Sequence, residues 1–342
     1  MSPVSQWQIL EMPGLFNTNY KEMKYLQKLV LSVLVFLSSL MISAQNSNKM
    51  DAKKAELCFE IKSLLGEGAF WDHQEQRLYW VDIEGKKLHL FDPTEKKNIS
   101  FDMPSRIGTV VPIDKKEAVV ALEDGIFTVS IKDGTLTRLS DVESTMDYNR
   151  FNDGKCDPNG NLWVGSMHLA QSEPKANLYK VNGLGDASVM LDSVTISNGI
   201  VWTKDQKTMY YIDTPTGQIR AFDFDVKNST ISNERVAVII PESVGFGDGM
   251  TIDAEDKLWV GLWNGNAVAR FDPVSGKLME KIAVPAHNVT SCSFGGPNFE
   301  TLYITTSSLD MTEEEKKAFP LAGSLFKVNP GVKGVAGNYF AK

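Results

Sequence analysis

Four short triplets in this chain set an acid or an amide against glycine: Gly66-Glu67-Gly68, Asn152-Asp153-Gly154, Ser197-Asn198-Gly199 and Gly247-Asp248-Gly249. Two carboxylates with amide carbonyls form an all-oxygen donor set, which suits a hard divalent cation with water in the remaining positions. Carboxylates buried face to face repel and lose hydration unless they take up protons or share a cation. The expected cofactor is therefore one divalent metal ion, Ca2+ first, with Mg2+, Mn2+ or Zn2+ as alternatives. Glycine beside each donor lets the backbone turn sharply and approach closely. Asp, Asn and Gly are also ordinary turn residues, so any one triplet is weak by itself.

The spacing is what joins them. Short β-rich runs recur along the chain: RLYWVDI at 77–83, NLWVGSM at 161–167, TMYYIDT at 208–214, KLWVGLW at 257–263 and TLYITTS at 301–307, with a weaker EAVVALE at 117–123. Their middle residues are Tyr79, Val119, Trp163, Tyr210, Trp259 and Tyr303, at steps of 40, 44, 47, 49 and 44 residues. A period near 45 with several short strands per unit predicts an all-β, six-bladed β-propeller with four-stranded antiparallel blades and a central channel. ELCFEI at 56–61 is expected to pair with the last blade and close the ring, removing an exposed edge. EEEKK at 313–317 reads as a short helical insertion. Counting back 11 or 12 residues from each marker reaches Glu67, Ile107 or Gly108, Asn152, Asn198, Asp248, and Ser291 or Cys292. If the blades superpose, four oxygen-bearing residues converge on one mouth of the channel.

Composition narrows the classes of function. With 35 Lys and Arg against 43 Asp and Glu, the net charge is -8, which does not provide the clustered cations that nucleic acid requires. Three widely spaced cysteines, Cys58, Cys156 and Cys292, make neither a disulfide framework nor a zinc motif and read as small buried fillers. The apolar run LVLSVLVFLSSLMI at 29–42, preceded by Lys21, Lys24 and Lys28 and followed by Ser43-Ala44, is too short for a membrane span. It fits a cleaved secretory signal. Residues 1–44 are thus expected to be an upstream extension plus signal peptide, and 45–342 one exported propeller domain, periplasmic or secreted, with no stable membrane span after cleavage. There is no G-x-S-x-G elbow and no nucleotide-binding glycine loop in a strand-to-helix setting.

At these residues the chain resembles the SMP-30/gluconolactonase/regucalcin-like family of six-bladed propellers. The likeness is carried by LLGEGAFWD at 64–72, YNRFNDGKCDPNGNLWVGSM at 148–167, ISNGIVWTKDQKTMYYIDT at 196–214, GFGDGMTIDAEDKLWVGLW at 245–263 and TSCSFGG at 290–296. The resemblance implies a divalent-metal-dependent lactonase. It implies Glu67, Asn198 and Asp248 as metal ligands, with Asp248 also the acid/base, and Arg150 and Asn152 as substrate-binding residues. Asp153 would support the metal shell. Some members carry an acidic substrate contact just after a Gly-Thr-Met or Gly-Ser-Met sequence; here Met167 is followed by His168, which is expected to take over that contact. The partner expected is a small-molecule lactone or ester, most simply a sugar lactone. Two other readings are an aryl-ester or phosphotriester hydrolase on the same site, and a non-enzymatic secreted binding module, since LYWVD at 78–82 resembles the repeat of receptor propellers. Oligomeric state is left open.

Overall fold

The computed structural model describes residues 53–342; the extension and signal peptide expected over 1–44 lie outside them. The strand signals are realised as six four-stranded antiparallel sheets. The first strand, β1 (Glu56–Phe59), stands apart from the sheet that follows it in the chain. Blade one contains β2 (Gly66–Asp72), β3 (Arg77–Asp82), β4 (Lys87–Asp92) and β5 (Lys97–Asp102). Blade two has β6 (Ile107–Pro112), β7 (Glu117–Leu122), β8 (Gly125–Ser130) and β9 (Leu136–Ser140). Blade three is β10 (Asn149–Cys156), β11 (Leu162–His168), β12 (Ala176–Val181) and β13 (Ala187–Val194), and blade four β14 (Ser197–Trp202), β15 (Thr208–Asp213), β16 (Gln218–Asp225) and β17 (Thr230–Ile239). Blade five contains β18 (Phe246–Ile252), β19 (Leu258–Trp263), β20 (Ala267–Asp272) and β21 (Lys277–Ala283). Blade six joins β22 (Asn288–Gly295), β23 (Thr301–Ser307) and β24 (Leu325–Val328) to β1, in the order β1-β24-β23-β22. The expected six-bladed propeller is the fold, and β1 closes it as expected, with Glu56 opposite Lys327 and Leu57 opposite Phe326. The insertion in blade six is α1 (Glu313–Ala318), begun by a capping box between Thr312 and Glu315.

The repeated sequence pattern has a local cause. In blade three the Asp157 carboxylate accepts the amides of Asn159 and Asn161 and, on its other oxygen, the indole N–H of Trp163 at 2.9 Å. Asp253 does the same in blade five for Glu255, Lys257 and Trp259. One aspartate thus shapes the turn and anchors the large aromatic of the next strand. Those aromatics then fill the seams between blades. Trp163 meets Trp202 of blade four at 5.8 Å, Trp259 meets Phe294 of blade six at 5.8 Å, and Trp71 of blade one stacks on Tyr303 of blade six at 5.1 Å. Cys156 and Cys292 are buried fillers as expected, but Cys58 is only half-buried, because β1 is an edge strand covered on one side.

The last residues, 329–342, cross the face opposite Glu67. The Lys333 carbonyl accepts from Ala254, Gly334 donates to Phe299, Asn338 to the Cys156 carbonyl, Tyr339 to Asp72, Phe340 to Pro112 and Ala341 to Gly160. This strap therefore ties five blades and roofs a cavity of about 80 Å3 lined by Trp71, Lys155, Cys156, Trp202 and Asn338. Phe340 is the buried anchor, packed in the core of blades one to three. Phe340→Ala is expected to cost about 3 kcal/mol in urea unfolding, as large-to-small core changes do. Opening of the strap should also speed labelling of Cys156 by an uncharged thiol reagent, on the order of tenfold, read by peptide mass mapping. An unchanged labelling rate would mean that the strap does not seal this end.

Candidate functional site

Every innermost strand breaks its ladder at the same place. The register shifts between Glu67 and Phe70, Ile107 and Thr109, Phe151 and Gly154, Ser197 and Ile200, Gly247 and Met250, and Val289 and Cys292. A bulge re-aims the side chains at the extra residue and bends the strand. The residues inside four of these bulges, or bounding them, are Glu67, Asn152 with Asp153, Asn198 and Asp248. Glycine makes the geometry possible. A Cβ on Gly199 would lie 2.4 Å from the Met250 Cβ, and one on Gly249 would lie 2.5 Å from the Ser291 Oγ, so the inner strands could not approach as they do.

Glu67 and Asp248 come from blades one and five, and their carboxyl groups interact directly. Both are buried. Burial is the main cause that raises both carboxyls far above the ordinary carboxylate range; the charge of Asp153 adds to it at Glu67, and the charges of Glu67 and then Asp153 add to it at Asp248. Asn198 lies in the neighbouring blade four, where a Cβ on the following Gly199 would lie 2.9 Å from the Asp248 carbonyl oxygen. The Asn198 Oδ1 accepts from Asn152 Nδ2 at 3.1 Å, while its Nδ2 donates to Thr214 Oγ1 at 2.7 Å, and Thr214 donates to the Gly247 carbonyl at 2.8 Å. Asn152 also donates to the Ser197 carbonyl and accepts Arg150 Nη1 at 2.6 Å. Arg150, Asn152 and Asn198 therefore form one hydrogen-bonded chain from blade three to blade four. Burial lowers the Arg150 guanidinium to about 10, and the charges acting on it most are Glu84, Arg106, Glu67 and Asp248.

Two expected residues sit at the margin of this group. Asp153 is buried; Oδ1 accepts the Gly154 amide at 2.8 Å and Oδ2 has no partner. Burial raises its carboxyl, and Lys155 opposes that shift. His168 lies at the end of β11 opposite Asn149, its ring 6.1 Å from that of Tyr148. It is buried, its Nδ1 is unpartnered, and among the described residues no hydrogen bond joins it to Arg150 or Asn152.

Other residues at this mouth were not singled out from the sequence. Asp82 accepts the amides of Leu64 and Leu65, and Asp213 those of Thr195 and Ile196. Each aspartate ends the second strand of its blade and pins the segment that leads into Glu67 or Asn198. The signal was present as the final Asp of LYWVD and of YYID, which does this positioning work in both blades. Glu84, Arg106 and Glu123 form a second group.

The donors fit a cation. Two buried, directly interacting carboxyls and an unpartnered carboxylate oxygen on Asp153 are the environment that a divalent ion would relieve. Among the described residues no three His, Cys, Asp or Glu side chains come together as a ligand set. Among these residues also no helix is long and apolar enough to cross a membrane.

Residues 65–308 match the profile described as the SMP-30/Gluconolactonase/LRE-like region. The chain is 40% identical over 267 residues to a protein described as putative sugar lactone lactonase YvrE of Bacillus subtilis, covering 78% of this chain and 91% of that one. It is 37% identical over 300 residues to regucalcin of Xenopus laevis, covering 85% and 100%. Among solved structures, a calcium-binding protein, regucalcin, from Agrobacterium tumefaciens superposes with a TM-score of 0.82 at 25% identity, over 85% of this chain and 98% of the other.

Proposed function

The chain belongs to the SMP-30/gluconolactonase/LRE-like family, and from that premise we propose that it is a divalent-metal-dependent lactonase acting on sugar lactones. The observation that carries the proposal is the meeting of the buried Glu67 and Asp248 carboxyls, from blades one and five, at the bulges of the inner strands. Glu67, Asn198 and Asp248 would hold the ion, with Ca2+ the first candidate; regucalcin from Agrobacterium tumefaciens, a structural neighbour, is described as calcium-binding. When bound, the ion would supply Lewis-acid polarisation of the lactone carbonyl and charge stabilisation for the oxyanion.

The protein's own groups do the rest. An Asp248 carboxylate oxygen takes a proton from the attacking water and returns it to the ring oxygen as the ester bond breaks. Arg150, with only Nη1 engaged by Asn152 and Phe151, offers the rest of its fork to substrate oxygens. Asn152 fixes that fork and so fixes orientation. Arg150→Ala is therefore expected to raise KM about tenfold or more with a smaller change in kcat, since it removes binding common to ground and transition states. A loss confined to kcat would contradict simple positioning.

The test is a panel of sugar lactones, aliphatic lactones and aryl esters, assayed on metal-stripped protein with Ca2+, Mg2+, Mn2+ or Zn2+ restored. Hydrolysis of sugar lactones that returns with a divalent ion supports the proposal. Turnover of aryl esters or phosphotriesters alone would move the assignment to that class. Absence of any hydrolysis, with no ion dependence of stability, would favour a binding module.

A further inference from the structure

Blade two places no oxygen at the axis: its bulge holds Gly108, between Ile107 and Thr109. It contributes to the same mouth one residue earlier. Arg106 immediately precedes β6, Glu123 immediately follows β7, and Glu84 lies in the turn after β3. The pairings of Gly66 with Asp82 and of Ile107 with Leu122 put all three at the end of the blades that carries Glu67. Arg106 Nε donates to both Glu84 oxygens, at 2.9 and 3.0 Å, and its Nη1 to Glu123 at 2.8 Å. The two glutamates belong to different blades, so the guanidinium is clamped across the seam between them. The three side chains are 34%, 23% and 31% exposed, which leaves them open toward solvent at the mouth. Glu84 and Arg106 are also the charges nearest in effect to Arg150 in blade three. This mouth therefore gathers Glu84, Arg106, Glu123 and Arg150, two positive and two negative charges.

We propose that Arg106, held by Glu84 and Glu123, is a specificity-determining residue that receives the hydroxyl-bearing end of a neutral substrate. This rests on the lactonase reading above and deepens it. The chemistry follows from what the clamp leaves free. Arg106 keeps its Nη2 donors, and the glutamates keep unused lone pairs. Donors and acceptors side by side match vicinal hydroxyls, each of which both donates and accepts. An anionic tail would meet two carboxylates for each free guanidinium edge, and an alkyl tail would leave charged groups unpaired and desolvated. The fork is rigid because both partners are fixed at strand ends, so it selects by geometry as well as by charge.

The experiment compares two lactones with the same six-membered ring, glucono-1,5-lactone and unsubstituted δ-valerolactone, on wild type, Arg106→Met and Arg106→Lys. Losing a hydrogen bond to a charged group costs about tenfold or more in kcat/KM. The expected result for Arg106→Met is that loss on gluconolactone, carried mainly by KM, with δ-valerolactone changed by less than about twofold. Arg106→Lys should fall between, because it keeps the charge and loses the fork. Melting temperature and calorimetric Ca2+ affinity, measured on the same proteins, are expected to stay at wild-type values. Equal losses on both lactones would show that Arg106 only holds the blades together, and no loss on either would show that it does not touch substrate. A wild type that prefers δ-valerolactone would overturn hydroxyl recognition while leaving the lactonase reading intact. A wild type inactive on both, and on every other lactone, overturns both.

Discussion

Asp248→Asn is expected to lower kcat on a lactone substrate by about 10²-fold or more while the protein still takes up its divalent ion. The scale is that of general acid–base assistance. The amide keeps an oxygen where the carboxylate stood but cannot accept the proton of the attacking water, so the substitution separates the two duties proposed for this side chain. The structure makes the variant conservative: Asp248 is buried, and its carboxyl faces Glu67 rather than bulk water. Removing one of two opposed acids also relieves their repulsion, so the metal-free variant should be at least as stable as the wild type. Assays belong at saturating ion, with affinity measured separately by calorimetry. Turnover within a few-fold of wild type at full occupancy would remove Asp248 from the proton path.

Metal removal carries the second large effect. An ion that binds only the folded protein stabilises it by about 2.7 kcal/mol at one hundred times its dissociation constant, which for a domain of this size is about 4 °C in Tm. Chelation is thus expected to lower Tm and abolish hydrolysis together, and Ca2+ to restore both. The loss should depend on pH in a defined direction. In the metal-free protein the Glu67 carboxyl is raised by burial, and then by Asp153, to about 8. An acid whose folded pKa lies above its unfolded value binds more protons in the native state, so stability falls as pH rises between the two values. The chelated protein should therefore lose stability from about pH 4.5 to pH 8, and the loaded protein should not share that slope, because the ion takes the place of the proton. A Tm indifferent to chelator at both ends of that range would contradict a cation at Glu67 and Asp248.

Much of this was legible in the chain because a propeller writes its local structure once per blade. The aspartate turns before NLW and KLW, the marker aromatics and the glycine-flanked donors are short-range features, and each repeats with its hydrogen bonds intact at Asp157 and at Asp253. Counting from the markers reached Glu67, Asn152, Asn198 and Asp248 because the bulge falls at one register in every inner strand. The same count passed over Arg106. It looks only at axis-facing positions, and the Arg106 clamp depends on two turns from different blades that no periodicity relates. The reading of His168 met a similar limit: its place after Met167 identified a rim position, but whether its ring turns toward Arg150 depends on the packing of Tyr148 and Asn149 around it.

The sequence by itself determined the blade count, the donor types and their common register, because each rests on contacts within a unit or on an alternation along a strand; the β1 segment was legible as a strand left over by that count, with the open edge of the last blade to pair with. Only the tertiary structure decided that Glu67 of blade one and Asp248 of blade five meet, that Thr214 turns the Asn198 amide, that Glu84 and Glu123 grip Arg106, and that the C-terminal strap seals the other mouth. These are consequences of ring closure. Side chains far apart in the chain meet only when every blade has added its rotation about the axis, and no local pattern records the sum.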